Sequence, residues 1–337
     1  MNQVVFFSVA MASGLSLTWI VRLFALKTGI VNKPNPIIPQ HVKPIAYLGG
    51  VGILTGVLFA IISSYSFQTD IFHGLIKSTS SAVAMVFGSV TYLIWGVYDD
   101  LKQLKAFHKF LGQFVLAVIC VIMGVRTTFF PSLEFLDFAF SVFWIVFVIN
   151  AVNFTDVCDG LVGGISTITF LVIGFWVPQF MIFCVLMSGV TAGFLFFNLH
   201  KASIFLGDAG SHLLGFLIAA LGIFGGNKLH IIDAGVWMSL IAAVPLFELL
   251  FLTVVRMQKG KNITHGSPDH FSLRLQKAGF TRLQIVGMAC LVTTITTTIA
   301  CLFRTFDLGF KIGSVAFIII LFAFIWRYLL RWDLDKK

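Results

Sequence analysis

The sequence predicts an all-α, polytopic integral membrane protein with about eleven transmembrane helices in a single domain, residues 1–337. Its composition supports this fold class. Hydrophobic residues make up 58% of the chain and charged residues only 11%, with a mean hydropathy of +0.98, whereas a soluble domain carries about 25% charged residues. A chain so poor in charge cannot cover a water-facing surface, and its 38 phenylalanines suit helices that face lipid.

Apolar stretches of sufficient length divide the chain into predicted spans. Crossing the hydrocarbon layer takes about 20 mostly apolar residues in a helix. The stretches that qualify are about 4–26, 45–64, 81–98, 110–129, 135–151, 160–177, 179–197, 210–225, 231–255, 283–303 and 309–330. The first lacks a basic segment before it and a small-residue cleavage site, which predicts a retained helix and not a signal peptide.

Basic residues predict the orientation, because Lys and Arg accumulate in cytoplasmic loops. With the N-terminus outside, the loops alternate so that 18 of the 23 Lys and Arg residues fall on the cytoplasmic side. The exceptions are Lys77, Arg126, Lys228, Arg304 and Lys311. The C-terminus is then cytoplasmic. Membrane orientation thus explains the net charge of +9, and no nucleic-acid partner is predicted.

Carboxylates stand at the predicted ends of three spans. Asp99 and Asp100 end the third span, Asp156 and Asp159 begin the sixth, and Asp208 begins the eighth. An acid at membrane depth is costly and is usually functional, and the predicted topology puts all three groups on the cytoplasmic side. One acidic pair alone is most often a solvated helix end, but three groups on one face predict a shared site.

The residue types in this region favour metal-assisted phosphoryl transfer. Carboxylate and amide oxygens are hard ligands that suit Mg²⁺. Asn150, Asn153 and Asp156 are spaced i, i+3 and i+6, so that in a helix they would stay near one face. Basic residues predicted nearby could neutralise a pyrophosphate: Lys43, Lys102, Lys109 and Arg274. The sequence therefore predicts a phosphate-handling site at the cytoplasmic membrane face.

Motifs along nearly the whole chain resemble one family. In order, they cover residues 32–35, 41–44, 48–50, 99–100, 150–164, 207–211, 267–270 and 278–280. Their content and spacing are similar to those of the polyprenyl-phosphate N-acetylhexosamine-1-phosphate transferases. These enzymes begin the synthesis of cell-surface glycans such as lipopolysaccharide O-antigen, enterobacterial common antigen and the teichoic-acid linkage unit, and the lipid I translocase of cell wall biogenesis is a relative.

The resemblance implies that polyprenyl (undecaprenyl) phosphate attacks a UDP-N-acetylhexosamine and UMP is released, at the inner membrane of a bacterium. It implies that Asp208 and Asn153 ligate Mg²⁺, with Mn²⁺ as a substitute. It also implies that one of the acids in the Asp99-Asp100 pair deprotonates or positions the lipid phosphate. Substrate-binding residues implied in the same way are Lys109, Asp156, Asp159 and His270. The residue pattern adds Lys43 and Asn150, and His265 and Arg274 are candidate substitutes for the histidines that the last large loop lacks. The resemblance does not decide between a reaction with one displacement step and a reaction with two. It is compatible with a homodimer.

The chain departs from the family pattern at several positions. Val157 and Cys158 replace the usual Gly-Leu, and Ser272 and Leu273 take the places of histidines in the last large loop, where His270 is kept. The histidine-poor loop disfavours the lipid I translocase. GlcNAc-1-phosphate is the favoured group because UDP-GlcNAc is the commonest donor in the branch that the chain resembles, and a 6-deoxy sugar is the alternative.

Two other functions fit part of the pattern. A secondary transporter also carries intramembrane carboxylates and glycine-broken helices, but its acids should lie near the middle of the membrane. An inactive homologue could bind lipid or nucleotide as an assembly platform, although the retained acids disfavour it. Some single residues have simpler explanations: His265 and His270 as solvated loop residues, and Glu248 as a residue paired within the helix bundle.

Overall fold

The computed structural model describes residues 3–32, 44–65, 79–199, 201–261, 267–303 and 305–333. Within these ranges the chain forms α-helices, one short 3₁₀ turn at Pro178–Phe180 and one antiparallel strand pair, β1 (Val31–Asn32) with β2 (Ile45–Ala46). The helices are α1 (Gln3–Thr28), α2 (Gly49–Tyr65), α3 (Thr79–Lys102), α4 (Ala106–Ile122), α5 (Glu134–Thr155), α6 (Leu161–Trp176), α7 (Met181–Asn198), α8 (Gly207–Gly226), α9 (Ile231–Ile241), α10 (Ala243–Gln258), α11 (Phe271–Lys277), α12 (Arg282–Leu302) and α13 (Leu308–Leu330).

The all-α polytopic prediction is confirmed. Within the described ranges, seven helices are long and apolar enough to cross a membrane, and the bent pair α9 and α10 would make an eighth span. Three further apolar helices, α2, α4 and α6, are shorter. Each predicted stretch overlaps one of these helices or the bent pair, but the number eleven stays a prediction.

One predicted span is broken. The stretch 231–255 forms α9 and α10, which meet at a bend of 80°. Pro245 stands in the first turn of α10, where its ring would clash with the carbonyl of residue 241 in a continuous helix. Ala242 accordingly leaves helical geometry, with φ −112° and ψ 16°, and its carbonyl accepts the first bond of α10 from Leu246 N.

Two predicted boundaries are also wrong. Helix α4 ends at Ile122, not near 129, because Gly124 turns the chain with φ +118° and Val125 N bonds back to Cys120 O. The stretch predicted from 45 begins as strand β2, and α2 starts only at Gly49. In both places the apolar sequence continues across a backbone turn, so hydropathy alone does not show where the helix begins or ends.

Helix α8 lies at the centre of the bundle. It packs against α2, α3, α5 and α9, and every one of its residues except Asp208 and Phe224 is buried. A helix that is apolar on all sides is stable only when other helices surround it. By contrast, α13 is mostly exposed along its apolar length and has the character of a lipid-facing helix. The first turn of α8 is therefore enclosed by other helices, with Asp208 as its partly exposed residue.

Glycines let neighbouring helices approach the start of α8. A Cβ atom at Gly50, in α2, would overlap with backbone atoms of Ala209 and Gly210, and one at Gly96, in α3, would overlap with backbone atoms of Asp208 and Ala209. Only a residue without a side chain allows this backbone contact. The two glycines thus fix how closely α2 and α3 can flank the first turn of α8.

Backbone hydrogen bonds tie the start of α2 to the segment before α8. Phe205 N donates to Ala46 O at 2.8 Å, and Gly49 N donates to Phe205 O at 3.0 Å. Leu48, directly before Gly49, adopts φ +82°, a left-handed conformation that costs a bulky residue about 1–2 kcal/mol. The surrounding bonds hold Leu48 in this conformation, so the loop is fixed rather than free to turn.

We expect Gly96→Ala to lower the thermal unfolding midpoint of the protein in detergent. The added methyl group must displace the first turn of α8, and overpacking of this kind costs about 1–3 kcal/mol. The matched control is Gly287→Ala in α12, where an added Cβ meets nothing within 4 Å. Equal midpoints for the two variants would contradict the close-approach explanation.

Candidate active site

Three helix ends meet at one end of the bundle and bring the predicted acidic residues together. Asp99 and Asp100 lie in the last turn of α3, Asn153 lies in the last turn of α5, and Asp208 lies in the first turn of α8. Side-chain hydrogen bonds and ion pairs join all four residues directly or through Lys109 of α4. Groups that are far apart in sequence thus form one polar cluster.

Asp100 caps the start of α8. Its Oδ1 accepts from Asp208 N at 2.8 Å, and its Oδ2 accepts from Ala209 N at 3.1 Å. The first N–H groups of a helix have no partner within the helix, and the helix dipole favours a negative charge at this position. Both oxygens of Asp100 are therefore engaged in positioning the α8 backbone.

Asp99 and Asp208 share a lysine. Lys109 Nζ lies 2.9 Å from Asp99 Oδ2 and 2.9 Å from Asp208 Oδ2, while Asp99 Oδ1 accepts from Leu104 N at 3.0 Å. The side chain of Asp99 is 4% exposed and that of Asp208 is 26% exposed. Asp208 is thus the member of the pair that a ligand from outside can reach.

Asn153 lies beside Asp208. Its amide nitrogen donates to Asp208 Oδ1 and, at 2.9 Å, to Ser211 Oγ. The last turn of α5 and the first turn of α8 are joined by these bonds. The two residues that the resemblance implies as metal ligands are therefore in direct contact.

The cluster has the donors that a hard divalent cation needs. One ligand atom from each of Asp99, Asp208 and His212 lies within 4.8 Å of the other two, and carboxylate oxygens suit Mg²⁺ or Mn²⁺. The ammonium group of Lys109 already sits between the two carboxylates, so they converge on a positive charge. By donor type and spacing, the residues fit such a cation.

Asp156 and Asp159 follow α5 and lie close to the cluster. Asp156 is the residue after the last turn, so it does not continue the helical face of Asn150 and Asn153. Burial raises the pKa of Asp156, and the charges of nearby carboxylates raise it further. Asp159 forms an ion pair with Arg282 at the start of α12. A cation or a basic side chain brought to this region would lower the cost of keeping these acids charged.

Asn150 has protein partners one turn before Asn153. Its amide nitrogen donates to Gln113 Oε1 at 2.6 Å and to Val146 O at 2.8 Å. These bonds direct that nitrogen into the bundle, toward α4. A part for Asn150 in substrate binding stays a prediction.

Helix α11 and the residue before it contain two predicted substrate-binding residues that have protein partners. His270 Nδ1 lies 2.7 Å from Glu248 Oε1, and Phe271 N donates to Glu248 Oε2 at 3.2 Å. The Arg274 side chain is 1% exposed and donates to Asp269 Oδ1 at 2.8 Å and to Leu329 O at 3.1 Å. A direct contact from His270 or Arg274 to substrate stays a prediction.

Asp269 anchors the same segment. Burial raises the pKa of its carboxyl group, but hydrogen bonds and charge from Lys259 and Arg274 outweigh burial, so that the pKa lies below its ordinary value. Lys259 Nζ also lies 2.6 Å from Asp333 Oδ1, which links the segment to the end of the described chain. Lys43 and His265, predicted to bind substrate, lie outside the described residues.

The sequence reasoning missed two residues near the cluster. His212 follows Asp208 by four residues, the spacing that places two side chains on one helix face. Tyr47 accepts a hydrogen bond from Asn32 Nδ2 at 3.0 Å. Burial raises the pKa of Tyr47, and the charges of Asp100 and Asp208 add to this effect. The signal for Tyr47 was its position directly before the 48–50 motif, which brings it to the start of α8.

The chain is similar to known transferases. Residues 82–226, which include Asp99, Asn153 and Asp208, match the model of glycosyl transferase family 4. A probable undecaprenyl-phosphate N-acetylglucosaminyl 1-phosphate transferase of Bacillus subtilis is 29% identical over 95% of this chain and 89% of its own length. A decaprenyl-phosphate N-acetylglucosaminephosphotransferase of Mycobacterium tuberculosis is 30% identical over 79% of this chain and 74% of its own length.

A third relative extends the match to another group of enzymes. A phospho-N-acetylmuramoyl-pentapeptide-transferase of Picosynechococcus is 31% identical over 84% of this chain and 81% of its own length. The relatives thus match this chain along most of its length, and the matched family segment carries the acidic cluster. The resemblance read from the motifs is confirmed, and the chain belongs to glycosyl transferase family 4.

Proposed function

We propose that this membrane protein transfers N-acetylglucosamine-1-phosphate from UDP-GlcNAc to a polyprenyl phosphate, undecaprenyl phosphate in a bacterial inner membrane, and releases UMP. The observation that carries the proposal is the junction of α3, α5 and α8, where Asp99, Lys109, Asn153 and Asp208 form one cluster. Two of the similar relatives are named for the same group transfer, which supports GlcNAc as the sugar.

The reaction balances as a phosphoryl transfer. An oxygen of the lipid phosphate attacks the β-phosphorus of UDP-GlcNAc, and the bond from that phosphorus to the oxygen that bridges to the α-phosphate breaks. UMP leaves with that oxygen, and the lipid keeps a new pyrophosphate linkage to the sugar. Positioning and neutralisation of charge carry most of the catalysis in such transfers.

Asp208 and Asn153 would hold Mg²⁺ or Mn²⁺, since they are in contact and Asp208 is accessible. The bound ion would neutralise charge on the phosphate oxygens. Lys109 would supply a second positive charge from its place between Asp99 and Asp208. The nucleotide-sugar would lie over Asp156 and Asp159, next to the cluster.

The two neighbouring acids of α3 have different parts in this proposal. Asp100 positions the start of α8, because both of its oxygens accept backbone N–H groups. Asp99 is 4% exposed and pairs with Lys109, so in this proposal it positions the lipid phosphate through that lysine. The proposal thus separates two side chains that the sequence left equivalent.

The proposed orientation puts this cluster at the cytoplasmic face, with the N-terminus outside and the C-terminus in the cytoplasm. The excess of Lys and Arg on that side of the predicted topology supports it. The acids also lie at helix ends rather than at mid-helix, which favours a transferase over a transporter.

We expect purified protein with UDP-GlcNAc, undecaprenyl phosphate and Mg²⁺ to release UMP, and EDTA to abolish the release. The proposed metal ligands are oxygen atoms, which cannot neutralise the negative charge of the phosphates unless the cation is bound. UMP and the lipid product are measured together by chromatography. Turnover that persists undiminished after thorough chelation would remove the proposed metal part of Asp208.

We expect Asp208→Asn to lower turnover by about 10²-fold or more, the scale for loss of a positioned electrostatic group. The unfolding midpoint should change little, because Asp208 is partly exposed. Asp233→Asn is the matched control, since Asp233 pairs with Lys311 on α13, away from the cluster, and is similarly exposed. Near-normal turnover in folded Asp208→Asn protein would argue against the assignment.

Asp100→Asn should lower both turnover and the unfolding midpoint. The amide nitrogen that replaces one oxygen cannot accept from a backbone N–H, and a lost hydrogen bond to a charged group costs about 1.5–3 kcal/mol. The readouts are UMP release and thermal unfolding in detergent. An Asp100→Asn protein with a normal midpoint and no turnover would instead point to Asp100 as a directly reacting group.

A further inference from the structure

A line of side-chain hydrogen bonds runs beneath the acidic cluster. Asn150 Nδ2 donates to Gln113 Oε1 at 2.6 Å, and Gln113 Nε2 lies 3.0 Å from His212 Nε2. Gln113 and His212 have no exposed surface. The three residues belong to α5, α4 and α8, so this relay, Asn150–Gln113–His212, connects three helices that surround the proposed active site.

The backbone sets the direction of every bond in the relay. The Val146 carbonyl can only accept, and it takes a hydrogen bond from Asn150 Nδ2 at 2.8 Å. This contact fixes which end of the Asn150 amide faces Gln113, so Gln113 Oε1 accepts and Gln113 Nε2 donates. His212 Nε2 must then accept, and a neutral imidazole that accepts at Nε2 carries its proton on Nδ1.

The proton on His212 Nδ1 has no partner within the described chain. Nδ1 is fully buried and makes no hydrogen bond, although a buried N–H without an acceptor is unfavourable. A ring nitrogen of His212 lies within 4.8 Å of carboxylate oxygens of Asp99 and Asp208. The ring therefore lies close to the acid pair with one N–H donor that remains available to an oxygen atom.

We propose that His212 serves the metal site as an N–H donor, which orients the Asp208 carboxylate once the ion is bound, and that it does not ligate the ion itself. The relay makes the ring present an N–H to the site rather than a lone pair. Imidazole nitrogen with a free lone pair is a preferred ligand of Zn²⁺ and Cu²⁺, so the fixed proton keeps the protein ligands to oxygen and favours Mg²⁺ or Mn²⁺. This inference rests on the proposed metal-dependent function.

The tautomer can be measured without substrate or metal. In full-length protein labelled with ¹⁵N-histidine, we expect His212 to show a protonated Nδ1 and a bare Nε2 by NMR, with the signal identified from its loss in His212→Asn. In Gln113→Glu the carboxylate can only accept, so Nε2 should gain a proton. A wild-type ring with a protonated Nε2 and a bare Nδ1 would overturn the proposal.

Metal ligation can be measured without turnover. Electron spin-echo spectra of Mn²⁺ bound to the wild-type protein should show no directly coordinated histidine nitrogen. His212→Leu should weaken Mn²⁺ binding by about 10–100-fold, the usual effect of losing a group that orients a ligand, and His212→Asn should recover most of the affinity because its amide N–H lies near the position of Nδ1.

The outcomes separate this inference from the proposed function. A nitrogen bound to Mn²⁺, no Mn²⁺ binding by the wild-type protein, or equal Mn²⁺ affinity of His212→Leu and the wild type would overturn the part given to His212. Release of UMP from UDP-GlcNAc tests the transferase proposal on its own. A protein that binds Mn²⁺ through oxygen alone but releases no UMP would support His212 as assigned and refute the reaction.

Discussion

The arrangement of the site depends on one hydrogen-bonded contact, the capping of α8 by Asp100. Helix α8 begins inside the bundle, where N–H groups without acceptors would be costly. The two oxygens of Asp100 accept from Asp208 N and Ala209 N, and the glycines at 50 and 96 leave room for this approach. Because Asp208 belongs to the capped turn, the same contact fixes where its carboxylate points. The capping residue Asp100 of α3 and the proposed metal ligand Asp208 of α8 are therefore in direct contact.

The second constraint on the site is the repulsion between its negatively charged carboxylates. Asp99, Asp100, Asp156 and Asp208 are gathered at this helix junction, and Lys109 directly bridges two of them. The raised pKa of Asp156 has burial and the neighbouring carboxylates as its causes. A divalent cation or a basic group would reduce this repulsion. The buried His212 adds an N–H donor to the site without adding another lone pair near the acids.

Hydropathy predicted much of the fold, and motif spacing selected residues that the structure brings together in one cluster. The helices coincide with the apolar stretches because lipid requires long runs of apolar residues whatever the tertiary packing. The failures lie where backbone geometry changes within an apolar run, at Ala242 before Pro245 and at Gly124. The sequence also did not distinguish Asp99 from Asp100, because only the position of α8 shows which of the two carboxylates caps that helix.

The sequence by itself determined that the chain is a polytopic helical membrane protein and which family it resembles, because composition and ordered motifs do not depend on how helices pack. It also identified Asp208, Asn153 and the Asp99-Asp100 pair as candidates. Only the tertiary structure decided that Asp100 caps α8, that Lys109 bridges Asp99 and Asp208, and that Gln113 orients His212. These assignments depend on the directions of hydrogen bonds between helices distant in sequence, and a linear pattern of residue types does not contain those directions.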